Sequence, residues 1–131
     1  MNQKLQEIIK NSTFQVQEGI YVYAKVAKKP ECDKHFMVSQ DKDEITVVTK
    51  EGNLEDLDLI ERNKEDYKLI ALNLSVPFYA VGFLAAVSSA IAKAGMNILI
   101  VSTFSKDYIL VREGHTEKAI KILNDLGFNE S

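Results

Sequence analysis

The sequence predicts an α+β chain of two related units, each built from helices laid on one face of an antiparallel sheet, with one helix missing from the first unit. Two observations predict it: the element order β-α-β-β-α readable from Tyr67 onward, and an internal repeat of its hairpin segment earlier in the chain.

From Tyr67 each boundary has a chemical reason. Lys68 to Leu74 reads as a buried strand that ends before Pro77, because proline cannot donate to a ladder. Val81 to Ala94 reads as a helix of small and apolar residues, with Gly95 as its stop. Asn97 to Thr103 and Asp107 to Arg112 are strands around the polar turn Ser105-Lys106-Asp107, a hairpin. Thr116 beside Glu117 starts a second helix, which runs to Leu126 before Gly127. This is the split βαβ arrangement, short of its last strand. The helix after Pro77 carries apolar residues nearly all round, which calls for a packing partner beyond its own sheet: another copy of the domain.

The repeat runs from Val38-Ser39 through Lys50-Glu51-Gly52-Asn53 and again from Val101-Ser102 through Arg112-Glu113-Gly114-His115. Upstream, Ile20 to Pro30 lines up with Tyr67 to Pro77. The copies are offset by 47 residues at Ile20 and by 63 at Val38; the 16-residue difference is about one helix. The first copy therefore lacks the helix after its first strand and has only the charged loop Glu31-Cys32-Asp33-Lys34. Its open sheet face calls for cover from the N-terminal helix, through Leu5, Ile8 and Ile9, or from a partner subunit. The residues ahead of Tyr67 would close the first copy. The second reaches Ser131 without a final strand, a place that Phe14 to Gln17 could fill from the other end of the chain; a frayed N-terminus is the competing reading.

Composition excludes several function classes. The chain has 131 residues, 46% hydrophobic and 27% charged, with 16 Lys+Arg against 19 Asp+Glu and a net charge of −3. No basic cluster exists to neutralise phosphates, so neither a nucleic-acid nor an anionic-membrane partner is expected. Cys32 is alone, which removes a disulfide framework, and no Cys/His pair has zinc spacing. Met1 to Lys10 has no unbroken apolar run and is not a signal peptide. Leu69 to Ala92 is uncharged but split by Asn73, Ser75 and Pro77, so it is not a membrane span. A cytoplasmic globular protein is expected.

Catalytic chemistry is poorly supported. His35, His115 and Cys32 form no nucleophile-base grouping, so no catalytic residue is assigned. Asp41-Lys42-Asp43-Glu44 lacks the glycine and closing glutamate of a calcium loop, and no metal site or cofactor is assigned. Strand Tyr108 to Arg112 offers one aromatic where an RNA-binding sheet needs a pair.

The ordered set Tyr67-Lys68-Leu69-Ile70-Ala71-Leu72, Val81-Gly82-Phe83-Leu84-Ala85, Ala94-Gly95-Met96-Asn97-Ile98 and Ser102-Thr103-Phe104-Ser105-Lys106-Asp107-Tyr108-Ile109-Leu110-Val111 resembles an ACT domain. More narrowly, the chain resembles the small tandem ACT-domain proteins of bacteria and their relatives among eukaryotic amino-acid sensors. The resemblance implies the ferredoxin-like βαββαβ ACT fold, with a degenerate ACT-like unit and leading helix in 1–65 and an ACT domain in 66–131. It also implies a non-catalytic regulatory protein that binds a small molecule, an amino acid in the first instance, at an ACT-ACT interface. The expected partners are that ligand, a second copy of the chain in a homo-oligomer (dimer), and a protein regulated in trans. The alternative is a ligand-free structural or interaction module acting through oligomerisation.

The candidate ligand-binding residues are Ser75, Phe78, Tyr79, Val81, Gly82, Phe83, Thr103, Phe104 and Asp107. The loop Ser75 to Val81 leads into a helix N-terminus, whose unpaired N–H groups and dipole favour a carboxylate. Thr103, Phe104 and Asp107 would offer a hydroxyl, an apolar wall and an ammonium acceptor. Structural readings stand beside these: Gly82 for close helix-sheet packing, Asp107 as a cap on the hairpin turn, Phe78 and Tyr79 as core or interface residues.

Overall fold

The computed structural model of the chain describes residues 2–76 and 80–131. In chain order its elements are α1 (Gln3–Lys10), β1 (Thr13–Val16), β2 (Tyr21–Val26), β3 (Met37–Gln40), β4 (Ile45–Lys50), β5 (Leu59–Arg62), β6 (Tyr67–Asn73), α2 (Phe83–Lys93), β7 (Leu99–Ser102), β8 (Asp107–Arg112), α3 (Thr116–Leu126) and β9 (Asn129–Glu130). Single 3-10 segments, Glu51–Asp56 and Glu113–His115, follow β4 and β8. The chain forms two compact units, Met1–Glu18 with Lys68–Ser131, and Gly19–Tyr67. The contiguous division at 65/66 thus gives way to an interleaved one, in which the leading helix belongs with the C-terminal residues.

In the first of these units the strand order is β7-β8-β6-β1-β9. β7 and β8 form the expected hairpin, with Ser102 opposite Asp107. β1 runs antiparallel to β6, Phe14 opposite Leu72, and Gln17 N–H donates to the Leu69 carbonyl at 2.8 Å. The strand supplied from the other end of the chain is therefore formed. The expectation that the C-terminus lacks a strand is corrected: β9 pairs in parallel with β1, and Ser131 N–H donates to the Phe14 carbonyl at 2.9 Å. Phe128, 2% exposed, draws that last segment down into the core.

Helix and strand periodicities converge on this core. Ile70 and Leu72 of β6 and Ile109 and Val111 of β8 alternate onto one sheet face, where they join Phe83, Val87 and Ile91 of α2 and Ala119 and Leu123 of α3. Leu5 and Ile9 of α1 belong to the same core. Of the two covers left open for the sheet of the first copy, α1 or a partner subunit, α1 is not the one: its apolar stripe is spent beside Phe14. Ser12, fully buried, fixes the arrangement. Its hydroxyl donates to the Ile8 carbonyl at 2.6 Å and accepts from Ser75 N–H at 2.9 Å, while the Ser75 hydroxyl donates to the Ile8 carbonyl at 3.1 Å. α2 starts two residues later than the expected Val81 and exposes Ala85, Ser89 and Ala92. Because those side chains are small, their exposure costs little.

The unit Gly19–Tyr67 orders its strands β3-β4-β2-β5. In both units the leading strand lies between the second strand of a hairpin and one further strand. As the 16-residue gap implied, no helix stands between β2 and β3, and the segment after β4 is a 3-10 helix in place of a longer one. Ala24, Val26 and Val47 make a small core, with Val38, Ile45, Leu54 and Leu57 packed on it. Tyr23 stands edge-on to Tyr67, ring centroids 6.0 Å apart. Burial, and secondarily the neighbouring Tyr67, push its phenol above the ordinary value of 10.0.

Two outcomes follow. Phe14→Ala lowers stability by about 3–5 kcal/mol in urea denaturation, since it empties a fully buried aromatic site. Stability also falls as pH rises above about 10, because the unfolded chain loses the Tyr23 proton first. Tyr23→Phe flattens that part of the profile; an unchanged slope counts against it.

Candidate functional site

A cleft of about 270 Å³ opens in the unit that holds α2 and the β7–β8 hairpin. One wall is apolar: Leu72 and Leu74, which share a face by strand alternation, with Ala80, Phe83 and Leu84 at the start of α2. The other wall is the hairpin turn, Ser102 through Asp107. The turn is closed by Thr103, whose N–H and hydroxyl both donate to the Lys106 carbonyl, at 2.8 and 3.2 Å. Ser102 donates to the Asp107 carboxylate across the strand pair.

Four of the nine expected residues line this cleft: Phe83, Thr103, Phe104 and Asp107. Thr103 and Asp107 also carry the hairpin, so their polar groups are shared between structure and any ligand. Ser75 does not line it; its hydroxyl and N–H are engaged with Ile8 and Ser12. Val81 is 86% exposed and borders a separate small recess with Asn2, Lys4, Leu5 and Ile8. Phe78 and Tyr79 lie outside the described residues.

Gly82 precedes the first residue of α2 with φ +86°, a backbone conformation that a side chain makes costly. A Cβ added there would meet only Leu5 Cδ2, at an ordinary 3.7 Å. The glycine is thus required by the turn of the backbone and not by crowding against the sheet.

Sequence reasoning passed over Leu72, Leu74, Ala80, Leu84, Ser102, Ser105 and Lys106 as site residues. The alternation of β6 would have found Leu72 and Leu74, and Lys106 sits inside the hairpin turn already recognised. Among the described residues no group of three or more His, Cys, Asp and Glu side chains is placed to hold a metal ion. His35 is hydrogen-bonded through Nδ1 to the Thr49 hydroxyl at 2.9 Å, and Cys32 is an exposed free thiol. Asp41, read in sequence against a calcium loop, instead accepts from the Asp43 and Glu44 N–H groups of its own turn, at 2.8 and 3.0 Å. No described helix is long and apolar enough to cross a membrane.

An ACT domain family model matches residues 63–125, which span β6, α2, the β7–β8 hairpin and nearly all of α3. Over these residues the chain is similar to the ACT domain family. Solved structures show the same fold over nearly the whole chain. A Vibrio cholerae protein of unknown function, described as a possible transport protein, superposes with a TM-score of 0.78 at 18% identity, covering 95% of this chain and 96% of its own. An Agrobacterium tumefaciens protein gives 0.69 at 20% identity, covering 92% of each chain. The regulatory subunit of aspartate kinase from Thermus flavus gives 0.61 at 11% identity, over 87% of this chain and 96% of that one. No protein of curated function matches. The cleft described above lies wholly within the ACT domain's own unit, between the N-terminal end of α2 and the hairpin.

Gly82→Ala is expected to cost about 1–2 kcal/mol, although the methyl group has room. Gly114→Ala, where no positive φ is imposed and nothing lies within 4 Å of an added Cβ, stays within about 0.5 kcal/mol. Urea midpoints of the two variants check the difference.

Proposed function

We propose that this chain is a non-catalytic regulatory protein whose ACT domain binds a small molecule, an amino acid, in the cleft beside α2. The observation that carries the reading is the placement of an apolar wall, Leu72, Leu74 and Phe83, against the oppositely charged pair Lys106 and Asp107 in one cleft. A zwitterion with an apolar side chain matches that arrangement. Its ammonium group meets the Asp107 carboxylate, its carboxylate meets Lys106 and the first-turn N–H groups of α2, and its side chain covers Phe83. The likeness to a regulatory subunit of aspartate kinase supports a regulatory role. In this reading the ligand site is shared with a second copy of the chain in a homodimer, and Phe104 reaches the partner. Binding shifts the population between two associations, and a protein regulated in trans senses the change.

A second reading is favoured by Phe104, 85% exposed, and by the commitment of Thr103 and Asp107 to the hairpin. There the ACT domain is a ligand-free interaction module that works through oligomerisation.

Thermal unfolding against the proteinogenic amino acids at millimolar concentration separates the two. A ligand at about 100 times its Kd adds roughly 2.7 kcal/mol, which raises the midpoint of a chain this size by roughly 8 °C or more. Asp107→Asn keeps an acceptor for Ser102 while removing the charge, and is expected to abolish the shift with the fold intact. If no amino acid raises the midpoint, and light scattering shows a dimer that Phe104→Ser dissociates, the module reading replaces the sensor.

A further inference from the structure

The unit Gly19–Tyr67 has a cleft of its own, about 440 Å³, lined by Tyr21, Lys34, Phe36, Lys50 and Asn53. It sits where β2 begins and β4 ends, with Tyr21 paired to Lys50, at the opposite end of these strands from the turn between β3 and β4. Three features make it a built site.

The first is a polar network, built around one buried hydroxyl, that holds the loop standing where a helix would be. Thr49 is fully buried; its hydroxyl is 2.9 Å from His35 Nδ1 and accepts from Asn53 Nδ2 at 3.0 Å. Asn53 Nδ2 also donates to the Lys34 carbonyl at 3.1 Å, and Phe36 N–H donates to the Val48 carbonyl at 2.9 Å. The segment carrying Lys34 and Phe36 is thereby pinned to β4 and to the 3-10 helix. With both amide hydrogens of Asn53 committed, its Oδ1 is the atom left to accept from a ligand.

The second is charge. In a chain of net charge −3, two lysines meet at this cleft. Lys34 Nζ is 3.2 Å from the Asp56 carboxylate, which offsets part of its charge, whereas the Lys50 ammonium has no partner among the described residues. The Lys50 stem is held against Gly19, where an added Cβ would stand 3.2 Å from its Cδ and Cε.

The third is the pair of rings. Tyr21, 9% exposed, and the half-buried Phe36 stand edge to face, centroids 6.5 Å apart and planes at 81°, so Phe36 is the ring of the pair more open to a planar ligand.

We propose that this cleft binds a phosphomonoester joined through a sugar to a planar ring, the chemistry of a mononucleotide. Lysines act on phosphate as point charges, and the cleft is lined by no guanidinium that would favour a planar carboxylate. Its volume is in the range of organic-ligand pockets and exceeds what a bare phosphate fills. Asn53 Oδ1 would accept from an amino group on the ring.

The test is an amide ¹H–¹⁵N titration of the full chain with adenosine 5′-monophosphate, adenosine and inorganic phosphate, each at millimolar concentration and low salt. The monophosphate is expected to move the amides of Tyr21, Lys34, His35, Phe36, Lys50 and Asn53 and to leave those of 102–107 in place. Lys50→Gln is expected to weaken it about tenfold, and Lys34→Gln less, because Asp56 already offsets that charge. Added salt weakens binding. The proposal is overturned if those six amides do not move, if phosphate or adenosine alone moves them as far, or if Lys50→Gln, with its spectrum otherwise intact, binds unchanged. Because the amino-acid cleft reports through 102–107, failure of one reading is distinguishable from failure of the other.

Discussion

The pairing of β1 with β6 is the constraint on which the ACT domain's architecture rests. It brings Phe14 opposite Leu72 and gives β9 a strand to pair with. It also sets Ser12 where it can bridge the end of α1 and Ser75. Residues more than fifty positions apart thus close one sheet and one core. The loop entropy of joining them is lost once, and burial of Leu5, Ile9, Phe14 and Phe128 together offsets it. A domain beginning at residue 66 would lack three of those four side chains.

That closure decides what the loop before α2 is able to do. Ser75 is drawn toward α1, and its polar groups are satisfied there, so the cleft takes its polarity from the hairpin. Gly82 then turns the chain with a positive φ and aims the first turn of α2 at the hairpin side. The hydroxyls of Ser102 and Thr103 hold the turn in shape, a rigid frame of the kind recognition benefits from.

The unit Gly19–Tyr67 keeps the strand order and dispenses with a helix. In its place a buried threonine, a histidine and an asparagine organise a loop. Such a network is worth having only when its members are satisfied, and the hydroxyl of Thr49 has partners on two sides. The unit's cleft differs in character, cationic and aromatic where the ACT domain's cleft is apolar and mixed in charge.

Local patterns determined most of the secondary structure. The alternation of Ile109 and Val111, the polar turn before Asp107, the glycine after Leu126 and the 16-residue gap between copies each reflect short-range chemistry, so β8, the hairpin, the end of α3 and the absent helix were legible. That Thr103 and Asp107 stand at the hairpin turn that walls the cleft was legible for the same reason, since a hairpin turn declares its own ends. What the sequence did not reveal is where α1 packs, that Ser75 turns away, that Val81 lies outside the helix, and that Lys34, Lys50 and Asn53 meet beside two rings. An amphipathic stripe such as Leu5, Ile8 and Ile9 states that a helix needs an apolar surface without naming which one. Only tertiary structure chooses among surfaces of equal hydrophobicity, through the hydrogen-bond partners, here Ser12 and Ser75, that one docking satisfies and another leaves buried and unpaired.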